Sequence, residues 1–355
     1  MKNKTKRTKV WPVTLPADVR QLQEAADLLR SGGLVAFPTE TVYGLGADAR
    51  NTEAIRQVFE AKGRPSDNPL IVHIADKSQL DALVLPYPEL AGRLMDAFWP
   101  GPLTFVLPVI PGAVSPLVTA GLDTVGVRMP DHPAALALIR QSGCPLAGPS
   151  ANKSGRPSPT EAGHVLDDLD GRIGGVVDGG ACGVGLESTV IQITGEDGVR
   201  ILRPGGITPE QLEQAAPGVR IDAPTAAGEQ TEAPRSPGMK YTHYAPHGEM
   251  VIVCGEPSAV AACIRKEAGL AKARGETTGV LAFAEHAAEY EADVVLSCGS
   301  KQELGQAAAG LYASLRHFDE AGIQRIWAEG CPEEGLGLAL MNRLRKAAGG
   351  QVIRV

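Results

Sequence analysis

Between Ala17 and Arg30 apolar residues recur at helical spacing, at Leu22, Ala25, Leu28 and Leu29, and Gly32-Gly33 then supplies the left-handed positions that end a helix. A short apolar strand over 34–37 follows at once. The alternation continues, with helices predicted over 52–61, 78–84, 89–98 and 133–142 and strands over 70–74, 103–109 and 124–128. Further strands are expected near Val176 and over 188–193 and 199–202, the last two joined too closely for a crossover helix and therefore antiparallel. Thr208, Pro209 and Glu210 should start another helix. The pattern then lapses: 215–237 is rich in Ala, Pro, Gly, Glu and Thr, with almost no large apolar residue, and reads as a linker. It restarts with strands over 250–254, 279–283, 294–298 and 323–328 alternating with helices over 259–273, 304–318 and 336–348. That alternation predicts a small open parallel sheet with helices on both faces.

Length agrees with two domains, since 355 residues exceed the usual size of one. No apolar run approaches the roughly 18 residues a membrane span needs, and the balance of 34 Lys and Arg against 41 Asp and Glu argues against a whole-surface nucleic-acid footprint. The six cysteines are scattered singly, with neither the spacing of a zinc site nor that of a disulfide scaffold. No secretory signal follows the basic start, so the expected location is the cytoplasm. That start, with Lys2, Lys4, Lys6, Arg7 and Lys9, is either a solvated, disordered tail or a weak RNA contact. The 42 glycines and 27 prolines, close to a fifth of the chain, predict many tight turns.

Candidate chemistry gathers in polar loops placed after strands. Residues 38–46, PTETVYGLG, combine hydroxyls, a carboxylate and two glycines, as a loop approaching a polar ligand would, although Gly44 and Gly46 also suit a plain turn. Lys62 and Arg64 flank a glycine where a helix should end. Cations there complement the helix dipole, yet an arginine clamp with a lysine point charge is also how proteins hold a polyphosphate and take up charge on a leaving pyrophosphate. His73 is either a core histidine or part of this site. Arg128 ends a strand, where its guanidinium can take a substrate carboxylate, and Ser150-Ala151-Asn152 offers a hydroxyl and an amide for orientation. No Ser/His/Asp order, nucleophile elbow or Walker loop is present. The inventory fits binding and electrostatic catalysis on a nucleotide better than covalent catalysis. Gly335-Leu336-Gly337 is read either as a packing turn or as a phosphate site at a helix N-terminus.

Several runs in fixed order resemble the YrdC-type threonylcarbamoyl-AMP synthases: PTETVYGLG at 38–46, KGRPSDNPLIVHI at 62–74, FWPGPLTFVL at 98–107, GVRMPDHP at 126–133, PSANKSGRPSPT at 149–160, ESTVI at 187–191 and LRPGGI at 202–207. SPGMKYTHYAP at 236–246 and GLGLALMNRLRKAA at 335–348 are similar to the longer, two-domain form. The resemblance implies a YrdC-like α/β domain over 15–217 with a twisted mixed sheet, a linker or lid over 218–248, and a smaller Rossmann-like α/β domain over 249–355. It implies an enzyme, a nucleotidyltransferase, that joins L-threonine, bicarbonate and ATP into threonylcarbamoyl-AMP with release of pyrophosphate, Mg²⁺ arriving with the ATP. The product would pass to tRNA threonylcarbamoyl transferase machinery, with direct tRNA binding left open. By the same matching Lys62, Arg64, Ser150 and Asn152 form a catalytic tetrad. Thr41, His73, Arg128, Ser150 and Ser188 contact threonine, and Arg64, Asn68, Thr124, Ser158, Arg203 and Tyr244 contact the nucleotide. Gly148 departs from relatives that often carry a hydroxyl residue there. Two alternatives have less support: an RNA-binding or ribosome-associated YrdC-like protein, against which the acidic charge and 4% aromatics stand, and a carbamoyl-transfer module of the hydrogenase-maturation type, whose CxxC motifs are missing.

Overall fold

The computed structural model describes residues 7–14, 19–224 and 244–355. Two compact units emerge. The first runs up to residue 224, apart from Gly155–Pro157 and Val184–Leu186, which belong with the second; the second continues from Tyr244 to Val355.

The first unit is ordered β1 (Lys9–Pro12), α1 (Gln23–Arg30), β2 (Val35–Phe37), β3 (Gly44–Asp48), α2 (Thr52–Lys62), β4 (Ile71–His73), α3 (Lys77–Asp81), α4 (Glu89–Phe98), β5 (Leu103–Pro108), α5 (Pro116–Thr119), β6 (Thr124–Arg128), α6 (Pro133–Ser142), β7 (Leu146–Ala147), α7 (Ala162–Leu169), β8 (Gly175–Asp178), β9 (Thr189–Thr194), β10 (Gly198–Arg203), α8 (Pro209–Ala215) and β11 (Arg220–Asp222). Its strands form one mixed sheet in the order β1-β8-β2-β3-β7-β4-β6-β5-β9-β10-β11. The mixed α/β class and the antiparallel β9–β10 pair are as expected.

Several elements depart from the pattern reading. Part of the basic start is a strand, β1, paired in parallel with β8; residues 1–6 lie outside the described residues. The PTETVYGLG run is a loop only as far as Tyr43, because Gly44–Asp48 forms β3, antiparallel to β2. Its glycines are there for packing: a Cβ at Gly44 would stand 2.9 Å from the Phe37 ring and one at Gly46 3.0 Å. The stretch expected to be linker contains β11, parallel to β10, and its residues 225–237, with 238–243 after them, lie outside the described residues.

Apolar clusters cover both faces of the sheet. α2 shows how one element is seated. Asn51 caps it by accepting from Glu53 N and Ala54 N, and Gly63 ends it at φ 61°. Ile55, Val58 and Phe59 face the sheet, each contributing ~2 kcal/mol by burial. That face also carries Lys62, the last helical residue, inward.

The second unit comprises β12 (Glu249–Cys254), α9 (Pro257–Ala273), β13 (Thr278–Ala282), β14 (Val294–Ser297), α10 (Leu304–Glu320), β15 (Arg325–Glu329), α11 (Leu336–Ala347) and β16 (Val352–Arg354). Its five strands are all parallel, in the order β14-β13-β15-β12-β16. The open parallel sheet predicted from the alternation is what forms. A Cβ at Gly337 would meet the Pro332 carbonyl at 2.0 Å, so that glycine has a packing reason.

Candidate active site

Loop 38–43 is knitted by Thr39, whose hydroxyl accepts from Thr41 N and Val42 N at 3.2 Å, donates to the Val42 carbonyl at 2.6 Å and meets the Thr41 hydroxyl at 2.8 Å. Loop 149–152 lies against the start of β3: Leu45 N donates to Pro149 O at 2.7 Å, Ala151 N donates to Tyr43 O at 2.8 Å, and Gly44 and Ser150 form an antiparallel bridge. Thr41 and Ser150 therefore reach one corner of the sheet by backbone pairing.

Lys62 is buried, and its ammonium donates to Ser150 O, to Asn152 O at 2.6 Å and to Asn152 Oδ1 at 3.4 Å. Burial first, and then the nearby Arg64 charge, hold its pKa well below the ordinary lysine value. Three members of the expected tetrad are thus joined through one nitrogen. Arg64 stands past the helix end, with Nη2 donating to Asn68 O at 3.3 Å, beside an open groove of about 650 Å³ lined in part by Phe59, Gly63 and Ser66. Asn68 itself is buried.

His73 and Arg128 end adjacent strands, directly paired in the parallel β4–β6 register. The Arg128 guanidinium is buried, with Nε donating to Gly101 O at 3.2 Å and Nη1 to Thr41 Oγ1 at 2.9 Å. Its Nη2 lies 2.6 Å from Glu40 Oε2. Burial, then the Arg128 charge, push the His73 pKa down to about 3, so the ring is neutral. A Cβ at Gly148 would stand 3.0 Å from His73 Nδ1 and 3.2 Å from the Phe37 ring; with those rings in place, the departure at 148 leaves little room for a side chain.

Arg203 closes the other side. The register of β9 and β10 slips between Ile201 and Arg203. Arg203 Nη2 donates to Ser188 O at 2.9 Å and to Ser188 Oγ at 3.2 Å. Ser188 Oγ also meets Thr104 Oγ1 at 2.8 Å, and Ser158 Oγ donates to Glu187 Oε1 at 2.6 Å.

Most of the expected residues converge in the first unit, in groups joined by direct bonds. Two stand apart. Thr124 opens β6 opposite Pro108, four residues or roughly 13 Å along the strand from Arg128. Tyr244 belongs to the second unit, buried, at φ 70°, with its ring 5.1 Å from Tyr312 and the Arg343 guanidinium 5.7 Å over it. Thr39, Glu40, Thr104 and Glu187 take part without having been assigned roles; all four lie inside the motif runs, next to residues that were. Cys182, near Thr39 and Glu40, is an inert thiol whose pKa burial pushes up to about 12.

A site of this composition has relatives. Residues 27–205 match the Sua5–YciO–YrdC family model, which bears the description "Telomere recombination", and residues 207–349 match the model described as threonylcarbamoyl-AMP synthase, C-terminal domain. The chain belongs to the Sua5–YciO–YrdC family. Within that family it is 55% identical to the threonylcarbamoyl-AMP synthase of Bacillus subtilis over 98% of this chain and all of the relative, and 48% identical to that of Pyrococcus abyssi over 94% of this chain and 96% of the relative. The crystal structure of P. abyssi Sua5 complexed with L-threonine superposes with a TM-score of 0.92 at 46% identity, covering 98% of this chain and all of that one. Family membership and the two-domain form are therefore as the motifs implied.

Proposed function

We propose that the chain is a threonylcarbamoyl-AMP synthase, a nucleotidyltransferase that converts L-threonine, bicarbonate and ATP into threonylcarbamoyl-AMP, pyrophosphate and water. The observation that carries this reading is Arg128: a buried guanidinium held by Gly101 O and Thr41 Oγ1, with Nη2 in ion-pair contact with Glu40 at 2.6 Å but making no hydrogen bond. Such a group is prepared for a carboxylate. Thr41, His73, Ser150 and Ser188 surround the amino acid in this reading. Arg64, Asn68, Thr124, Ser158 and Arg203 hold the nucleotide in the 15–217 domain; Tyr244 is a further nucleotide-binding candidate, and most of the 218–248 segment expected to be a linker or lid before the 249–355 domain lies outside the described residues.

The chemistry needs two anions held together. Threonine's amine and bicarbonate give a carbamate, whose oxygen attacks the α-phosphorus of ATP in line while charge builds on the departing pyrophosphate. Arg64 faces that charge. Lys62 fixes the Ser150-Ala151-Asn152 loop through its carbonyls, so that Ser150 and Asn152 stay in place, and a phosphate beside it would favour its charged form. Mg²⁺ would arrive on the phosphate oxygens of ATP. Among the described residues no group of three or more His, Cys, Asp or Glu side chains is placed to hold a metal ion. The product is a mixed anhydride to be consumed by a transferase acting on tRNA, in the cytoplasm; no described helix is long and apolar enough to cross a membrane. The test is pyrophosphate release. It should require ATP, threonine and bicarbonate together, and release that ignores threonine would overturn the reading.

A further inference from the structure

One corner of the site is electrically unfinished. Glu40 Oε2 lies 2.6 Å from Arg128 Nη2, with the two side chains 13% and 4% exposed. Yet neither Glu40 oxygen receives a hydrogen bond, and Arg128 Nη2 makes none. Both Glu40 oxygens are closed off from solvent. Buried polar atoms are almost always hydrogen-bonded, so a carboxylate and a guanidinium nitrogen that touch as an ion pair yet make no hydrogen bond leave donor and acceptor capacity for a ligand.

The pair does not look like a structural ion pair. A guanidinium and a carboxylate brought together for stability frequently lie in one plane with two parallel bonds. Here Arg128 is already turned elsewhere, tied by Nε to Gly101 O and by Nη1 to Thr41 Oγ1. Thr39 pins the backbone that carries Glu40, through Thr41 N, Val42 N and the Val42 carbonyl. Arg128 cannot turn to meet Glu40 edge-on without breaking its bonds to Gly101 O and Thr41 Oγ1.

An α-amino acid has the complementary pattern, with three ammonium donors and two carboxylate acceptors on one carbon and its carboxyl neighbour. We propose that Glu40 binds the α-ammonium of the substrate while Arg128 takes its carboxylate. This rests on the proposed function and adds a residue to it. The carboxylate fixes the nitrogen, which attacks carbon once the ammonium has released a proton, and selects an amino acid over the corresponding hydroxy acid. Loss of such a contact leaves a buried charge unmatched, which is why sites of this type discriminate strongly.

The test is calorimetric binding to the full chain of L-threonine and of 2,3-dihydroxybutanoate, which keeps the carboxylate and β-hydroxyl but carries a hydroxyl in place of the ammonium. The unsubstituted protein should prefer threonine by about a hundredfold or more, and Glu40→Gln should cut that preference to less than about tenfold, with ATP affinity unchanged. Threonine binding with an undiminished preference in Glu40→Gln would overturn this proposal alone. Absence of threonine binding to the unsubstituted protein would overturn the proposed function as well. Should Glu40→Gln fail to fold, Glu40→Asp keeps the charge on a shorter arm and should weaken threonine more than the hydroxy acid; equal weakening would overturn the proposal.

Discussion

Lys62 and Arg64 sit two residues apart and do different work. Lys62 is buried, and three oxygens of the 150–152 loop depend on its ammonium, whereas Arg64 is only half-buried, past the helix end. Replacing Lys62 by Ala should therefore cost stability, about 1–3 kcal/mol for stranded buried acceptors, as well as synthesis. Replacing Arg64 by Ala should lower pyrophosphate release about a hundredfold with a smaller loss of urea stability than Lys62→Ala, because the half-buried guanidinium keeps access to water. Equal stability losses in both variants would contradict this division. His73 gives a separate test. The unfolded imidazole protonates near 6.5 and the folded one only near 3, so the unfolded chain binds more protons in between and stability falls as pH falls through that window. From pH 6.5 to 5 the first unit should lose ~1.5 kcal/mol more than the His73→Asn variant does. Parallel losses would show that His73 is not the proton-binding group.

At the scale of elements, the placement of Ser188 and Arg203 depends on how tightly the chain after β10 packs on the start of β9. A Cβ at Gly205 would lie 2.3 Å from Glu187 O and 2.4 Å from Thr189 N, so the obstacle is backbone and cannot swing aside. Gly205→Ala should destabilise by about 1–3 kcal/mol and reduce synthesis, while Gly183→Ala, with open space around it, should do neither. Synthesis unaffected by Gly205→Ala would contradict the idea that this packing positions Ser188. Long periodic elements were legible in the sequence: α9 and α10, and the strands between them, follow from apolar spacing alone. β3 was not, because its Gly44 and Gly46 yield to Phe37 and leave no strand-like side chains to read. β7, at two residues, is too short to carry a period. α7 (AGHVLDDL) follows Glu161, which makes no side-chain cap to announce it.

For the whole molecule, the sequence pattern separated two α/β regions and implied a mixed sheet and a parallel one, but not the strand order, which brings β1 and β8 together across more than 150 residues of chain. Nor could it assign contacts that exist only after folding. Motif runs located the cations and hydroxyls, whereas the unmatched geometry of Glu40 and Arg128, and Lys62 bound to the carbonyls of a distant loop, are products of the sheet. The central claim is that this site joins three substrates by way of a carbamate. It is tested most directly by mass spectrometry of the reaction run with ATP, L-threonine and ¹³C-bicarbonate. The account predicts a threonylcarbamoyl-adenylate carrying one ¹³C, formed in step with one pyrophosphate; an unlabelled threonyl-adenylate, or pyrophosphate without a labelled product, would contradict it.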